Sequence, residues 1–173
     1  MNILKCTRTV SMAILLATAL VRPAAAESAN ALLRDTNRQD VGTVSLLQTP
    51  AGVLLKLSVK GMPPGEHAFH IHAVGKCEPP SFDSAGAHFN PGNTHHGIMV
   101  GPGHAGDMHI PPNGSLEVEL INAAITIDTA NPNSVFHPDG TAVVIHGGKD
   151  DYMTDPAGNA GNRIACGVIS QGR

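Results

Sequence analysis

The stretch GEHAFHIHAVGKC, residues 65–77, holds three histidines within six residues and ends in a cysteine. His70 and His72 are separated by the apolar Ile71. In a β-strand, residues two apart project from the same face. The spacing therefore directs two imidazoles into one space. Either the pair binds a common ligand, or the strand gives up two positions that could have packed in a core.

Histidine is concentrated in one part of the chain. All ten histidines follow residue 26, and eight of them fall within residues 67–109. Ionised imidazoles this dense would repel one another, whereas neutral imidazole is the commonest metal ligand in proteins. The cluster therefore predicts a metal site, although a single histidine would be weak evidence. Its members are His67, His70, His72, His88, His95, His96, His104 and His109.

The first 26 residues have the pattern of a cleaved secretory signal peptide. MNILKCTR is short and basic, VSMAILLATALV is apolar, and the small residues 24–26 fit a cleavage site. A run of about a dozen apolar residues is too short to span a bilayer, which takes about 20. We predict a signal peptide at 1–26, a single domain at 27–173, export to the periplasm and no membrane anchor.

The charge balance restricts the partners. The whole chain carries a formal net charge of −3, from 11 basic and 14 acidic residues. Loss of the basic residues Lys5, Arg8 and Arg22 with the signal peptide leaves 8 basic residues against 14 acidic ones, a net charge of −6. This sign argues against nucleic acid as a partner. A small anionic substrate would need a locally positive site.

Cleavage would also remove Cys6 and leave Cys77 and Cys166. Two cysteines in an exported chain indicate one disulfide bond. Two free thiols remain the alternative at this point.

The hydrophobic pattern predicts strands and no long helix. Apolar and polar residues alternate over 53–59 and 115–120, and short apolar runs at 142–146 and 163–170 are typical of buried strands. Weaker strands are predicted near 29–34, 40–48 and 66–73. Gly- and Pro-rich turns separate these segments, which indicates an antiparallel sandwich or barrel.

Two segments fit neither a strand nor a tight turn. They span about 74–106, which carries most of the histidines, and 147–162, which is rich in Gly, Asp and Asn. Structureless loops of this length are uncommon and are usually functional or disordered. Hydrophobic burial cannot order so polar a segment as 74–106, but metal binding and a disulfide can.

Five motifs in order resemble those of the copper,zinc superoxide dismutases. They are H-x-H at 70–72, GAHFNP at 86–91, HAGD at 104–107, VVIH at 143–146 and GNRIACGVI at 161–169. The signal peptide makes the exported bacterial branch the best fit. The resemblance implies an all-β, antiparallel Greek-key β-sandwich or flattened barrel, with 74–106 and 147–162 as its functional loops.

The resemblance also implies a role for each site residue. One copper ion and one zinc ion per subunit would share His88, which would also act catalytically by taking up a proton when copper is reduced and delivering it when copper is reoxidised. Arg163 would draw in the anion, Asp150 would link the two metal sites, and His67 would support them. The implied copper ligands are His70, His72, His88 and His146; the zinc ligands are His88, His96, His104 and Asp107; the disulfide is Cys77–Cys166.

The implied reaction is disproportionation of superoxide to oxygen and hydrogen peroxide. The alternative is a periplasmic copper or zinc buffer or chaperone without turnover, although such proteins favour softer ligands for Cu(I). His95 competes with its neighbour His96 as a zinc ligand, and the spacing from His88 favours His96. The resemblance implies a homodimer or a monomer, since family members occur in both states.

Overall fold

The computed structural model describes residues 28–96 and 104–172, with the side chains of residues 104 and 105 excepted. The predicted signal peptide lies outside these residues. The described part contains a single 3₁₀ turn at Asp83–Ala85 and nine strands. The strands are β1 (Ser28–Asp35), β2 (Asp40–Thr49), β3 (Gly52–Val59), β4 (Gly65–His72), β5 (His104–Ile110), β6 (Leu116–Asn122), β7 (Ala142–His146), β8 (Arg163–Val168) and β9 (Ser170–Gln171).

The strands form one antiparallel sheet in the order β5-β4-β7-β8-β1-β2-β3-β6, with β9 added beside β1. β3 pairs with β6 and β4 pairs with β7, so two long connections cross between neighbours in the Greek-key manner. Among the described strands, no ladder joins β5 to β6 at the ends of this path. The predicted all-β fold is therefore confirmed as a nearly closed antiparallel barrel.

Alternation of side chains explains the barrel's interior. In β3, the side chains of Val53, Leu55, Leu57 and Val59 are at most 3% exposed, while Lys56 and Ser58 face solvent. Burying each such aliphatic side chain contributes about 1.5–3 kcal/mol. β3 therefore has one dry face and one wet face, as its period-2 pattern predicts.

β4 differs because both of its faces are buried from His67 to His72. Phe69 and Ile71 belong to the barrel core, and the alternate positions His70 and His72 are 0% and 1% exposed. A second, smaller cluster lies with the loop residues, where Phe82 packs with Val144 and Cys166. The loop thus covers the outside of the barrel and buries the histidine face of β4.

The structure corrects two expectations about the connections. Residues 104–110 form β5, so the first long loop ends before His104 instead of at 106. HAGDMHI carries polar residues on both faces and lacks the alternation that indicates a strand. Residues 123–141 form a third long connection between strands, which the Gly- and Pro-rich turn pattern did not predict. It is ordered by buried Ile125, Ile127 and Val135.

No helix in the described part of the chain is long and apolar enough to cross a membrane.

Candidate metal centre

Four histidines from two strands and one loop meet in one place. His70 and His72 lie on β4, His146 ends β7, and an isolated bridge pairs His88 with His72. One nitrogen from each of the four rings lies within 4.8 Å of the others. The H-x-H pair of residues 70 and 72 therefore has the shared environment that its spacing predicts.

Hydrogen bonds set the tautomers of two of these rings. The Nδ1 atom of His72 lies 2.9 Å from the carbonyl oxygen of Gly86, and the Nδ1 atom of His146 lies 3.2 Å from that of Gly161. A carbonyl oxygen only accepts, so each Nδ1 must donate its proton. In neutral rings, both Nε2 atoms then carry lone pairs. These two atoms lie 3.3 Å apart, an arrangement that a cation between them would stabilise.

Burial keeps the same two rings neutral. It lowers the pKa of His72 to about 2, and the nearby His88 and Arg163 act in the same direction. Burial also lowers the pKa of His146, with a smaller contribution from Arg163. Neutral imidazoles present lone pairs instead of protons at neutral pH. The donor set therefore fits copper, which binds nitrogen ligands more tightly than other first-row divalent metals do.

Asp150 connects this cluster to the second half of the centre. The His70 Nε2–H donates to Asp150 Oδ2 at 2.9 Å, and the His96 Nε2–H donates to Asp150 Oδ1 at 2.8 Å. The Asp150 side chain is fully buried. Carboxylates in this position fix the tautomer and the orientation of ligating histidines. In a neutral ring with its proton on Nε2, Nδ1 is the nitrogen that carries the lone pair.

Three of the predicted zinc ligands have described side chains, and each of these belongs to the four-histidine cluster or lies close to Asp150. The rings of His88 and His96 have centroids 5.7 Å apart, and Asp107 on β5 accepts a hydrogen bond from the Asp150 backbone N–H at 2.9 Å. His104 is the first residue of β5, but its side chain lies outside the described part. Histidine and carboxylate are the ligands of a closed zinc site, so the described members fit that metal.

His67 contacts the backbone beside the four-histidine cluster. Its Nδ1 lies 2.8 Å from the carbonyl oxygen of His146, and its Nε2 lies 2.9 Å from that of Pro63. The buried ring thereby ties β4 to the end of β7, where the last of the four clustered histidines lies.

Arg163 is paired with His146 in the β7–β8 ladder. Its guanidinium donates to the carbonyl oxygens of Phe82 and Gly86, both at 2.7 Å. Partial burial lowers the pKa of Arg163 from its very high ordinary value, and Asp83 acts in the opposite direction. The group remains a cation at neutral pH, so the site has the local positive charge that a small anion requires.

The disulfide between Cys77 and Cys166 is confirmed. It joins the start of the first long loop to β8, across 89 residues of sequence. Phe82 and Gly86, whose carbonyls hold Arg163, lie in the loop just after Cys77. The covalent link therefore fixes the segment that positions the cation.

Sequence reasoning missed two residues of the 147–162 loop. Asp155 accepts hydrogen bonds from the His96 backbone N–H at 2.8 Å and from the His95 ring at 2.7 Å. Gly158 has a positive φ of 63° and lies against Asp150, so that any Cβ there would collide with the carboxylate. The Gly- and Asp-rich composition was the only signal, and it did not indicate which residues mattered.

The fold and the site together define a class of protein, a β-barrel metalloprotein with a buried histidine cluster beside an anchored arginine. Comparison with known proteins gives the family. Residues 41–169 match the family described as copper/zinc superoxide dismutase (SODC). This chain belongs to that family.

Individual relatives and a solved structure support the same family. The chain is 51% identical over 136 residues to copper-zinc superoxide dismutase 1 of Aquifex aeolicus, covering 76% of this chain and 80% of the relative. It is 37% identical over 148 residues to the copper-zinc superoxide dismutase of Caulobacter vibrioides, covering 82% and 85%. The crystal structure of a SOD-like protein from Bacillus subtilis superposes with a TM-score of 0.78 at 29% identity, covering 80% of this chain and 96% of the other.

Proposed function

We propose that this member of the family disproportionates superoxide to oxygen and hydrogen peroxide with the residues assigned above. Copper would be held by His70, His72, His88 and His146, and zinc by His88, His96, His104 and Asp107. The observation that carries the assignment is the pair of Nε2 lone pairs on His72 and His146, 3.3 Å apart within a cluster of four imidazoles.

The chain's own residues would bind the metals, orient the ligating rings and move protons. Copper, when bound, supplies the redox couple, and zinc, which holds one redox state, supplies charge and shape. His88 would be a ligand of both metals, so neither of its ring nitrogens would carry a proton while both metals are held. One of these nitrogens would take up a proton and return it during each cycle. Asp150 would keep His70 and His96 oriented by accepting the hydrogen bonds that their Nε2–H groups donate.

Arg163 would bind the anion. Superoxide is a small anion with little surface to recognise. The rate of its reaction therefore depends on access to the site and on electrostatic attraction. The predicted mature chain carries a net charge of −6, so attraction must be local. The two hydrogen bonds to Phe82 and Gly86 hold the guanidinium in one orientation without neutralising it.

We further propose that the protein acts in the periplasm after cleavage of residues 1–26. The disulfide supports this location, because such bonds persist in oxidising compartments. Mass spectrometry of protein isolated from the periplasmic fraction tests the proposal. A mature chain beginning near Glu27 is expected, and an uncleaved chain in the cytoplasmic fraction would contradict it. The homodimer remains a further proposal, which sedimentation of the metal-loaded protein tests.

Pulse radiolysis of superoxide decay tests the activity. Copper-plus-zinc, zinc-only and metal-free forms of the mature protein are compared at equal concentration. Rapid decay that depends on copper is expected. Stoichiometric copper binding with decay at the rate of the buffer control would contradict dismutation. That result would favour the alternative of a periplasmic copper or zinc buffer or chaperone.

A further inference from the structure

Asp155 links the two long loops on the zinc side of the centre. Its Oδ1 accepts the backbone N–H of His96 at 2.8 Å, and its Oδ2 lies 2.7 Å from the Nδ1 of His95. These partners are 59 and 60 residues away in sequence. We propose that Asp155 is a positioning residue that holds His96 in place to bind zinc. The proposal rests on the function proposed above, which makes His96 a zinc ligand.

His96 is held at two points by one segment of chain. Asp155 fixes its backbone, while Asp150, five residues earlier, accepts its Nε2–H at 2.8 Å. Holding both the backbone and the ring leaves little freedom for the direction of the ring. The direction of the ring is therefore set before any ion binds. Pre-orienting a ligand in this way reduces the ordering cost of metal binding.

The segment that carries Asp155 is itself ordered by local bonds. The Asp151 N–H donates to the Gly158 carbonyl at 2.8 Å, and the Gly158 N–H donates to the Thr154 carbonyl at 2.7 Å. The Asp151 carboxylate also accepts the Thr154 backbone N–H at 2.7 Å. Asp155 therefore projects from a closed turn, which allows its carboxylate to act as a fixed point for the opposite loop.

The exposure of the contact argues for a local role. The side chains of Asp155 and His95 are 49% and 94% exposed. Ion pairs as exposed as this contribute little to global stability. We therefore expect loss of Asp155 to change the retention of zinc much more than the unfolding of the metal-free protein.

The main test measures zinc release from the copper- and zinc-loaded protein after addition of excess chelator with a chromogenic zinc indicator. Removing an outer partner of a metal ligand typically costs about 10–100-fold in affinity. We expect Asp155→Ala to release zinc about 10–100-fold faster while copper content is unchanged. Asp155→Asn keeps an oxygen that can accept the His96 N–H, so it should restore release to within about 3-fold of the unmodified protein.

Two controls separate the contact from general effects. His95→Ala removes only the exposed ring and leaves the bond to the His96 backbone, so its release rate should stay near that of the unmodified protein. Asp128→Ala removes an exposed aspartate that accepts a backbone N–H within the 123–141 connection, which contributes no proposed metal ligand. It should not affect zinc. The spectrum of cobalt substituted for zinc should broaden or shift in Asp155→Ala alone.

The outcomes distinguish this proposal from the ligand assignment. His96→Ala should abolish zinc retention, and unchanged retention in that variant would overturn the assignment of His96 itself. If His96→Ala loses zinc but Asp155→Ala releases it at the unmodified rate, only the role of Asp155 is overturned. A large loss of thermal stability in metal-free Asp155→Ala would also overturn it, because the contact would then be a general tether.

Discussion

The two halves of the metal centre are built on different scaffolds. His70, His72 and His146 lie on strands β4 and β7, are at most 4% exposed, and are placed by the ladder that aligns His70 with Val144. His88 and His96 lie in the long loop before β5. His88 is joined to β4 by the isolated bridge to His72, whereas the position of His96 depends on Asp150 and Asp155 instead of on strand register.

The difference teaches how each half becomes ordered. Once the barrel folds, the strand-borne histidines have no alternative arrangement, because slipping the register by one residue would turn them to the other face. The loop-borne ligands need specific polar contacts, which open more easily than packed strands do. Perturbing strand ligands should therefore abolish the chemistry, while perturbing loop contacts should loosen one metal.

The largest effect is expected from His146→Ala on the strand half. The variant loses one imidazole of the proposed copper set and one of the two opposed Nε2 lone pairs. We expect superoxide decay to slow by more than about 100-fold, since losing a ligand should exceed the 10–100-fold cost of losing an outer partner. Pulse radiolysis and metal analysis measure the result.

His109→Ala is the matched control, because His109 is an exposed histidine on β5 without a predicted role. It should retain the unmodified rate and both metals. Near-normal decay in His146→Ala would show that the strand half is not the site of turnover. Equal loss of zinc and copper in that variant would contradict the independence of the two halves.

The next largest effect is expected from removing the disulfide that anchors the first long loop. Replacing Cys77 and Cys166 together by serine opens a link spanning 89 residues. The chain-entropy model assigns such a loop about 4–5 kcal/mol of stability. We expect denaturant unfolding of the metal-free protein to show a loss of this order. Because the loop positions Arg163, the loaded variant should also turn over more slowly. An unchanged unfolding midpoint would contradict the role of the link.

A smaller effect is expected where the second loop packs on Asp150. Gly158→Ala places a Cβ against the Asp150 carboxylate at a φ of 63°. Gly61→Ala is the matched control, with a φ of 66° and nothing within 4 Å of its added Cβ. Both pay about 1–2 kcal/mol for the left-handed backbone, and only Gly158→Ala adds about 1–3 kcal/mol for the collision. Chemical unfolding measures stability, and chelator competition measures metal retention.

If Gly158→Ala and Gly61→Ala lose the same stability and the same amount of metal, the contact between the added Cβ and Asp150 has no energetic cost. That result would contradict the prediction. The comparison would then reduce to backbone strain alone. A selective loss of metal in Gly158→Ala would support a loop half that depends on the position of Asp150.

How much the sequence predicts follows the same division. Period-2 alternation over 53–59 predicted the antiparallel barrel. The H-x-H spacing on β4 predicted that two imidazoles share a face. Both predictions were possible because strand geometry is regular. The strand His104–Ile110 was missed, since its polar residues on both faces erase the alternation. Motif resemblance supplied the loop residues that periodicity could not.

Asp155 and Gly158 could not be predicted for a physical reason. Their importance comes from contacts with His96 and Asp150 that form only when two irregular loops meet. Loop conformation is set by such long-range polar contacts and by local turns, and neither leaves a periodic pattern in the sequence. The Gly and Asp content of 147–162 indicates a tight loop without indicating which residue faces the metal centre.

The smallest effect is expected at the boundary between the two halves. Arg163 lies on a strand, yet its guanidinium bonds to the loop carbonyls of Phe82 and Gly86. Gly86 O also accepts the Nδ1–H of His72, so one loop carbonyl serves both the cation and a strand histidine. Arg163→Ala should slow superoxide decay by about 10-fold, the lower end of the range for electrostatic steering, and weaken its dependence on salt.

Arg163→Lys separates charge from anchoring, because lysine keeps the charge but cannot make the same two-pronged contact. If attraction of the anion dominates, the lysine variant should keep most of the rate and its salt dependence. If anchoring of the loop dominates, it should resemble the alanine variant. Lys149→Ala is the control, since Lys149 is exposed and pairs with Glu66 at 3.5 Å. A rate loss there as large as in Arg163→Ala would mean that general surface charge, and not one placed guanidinium, draws in the substrate.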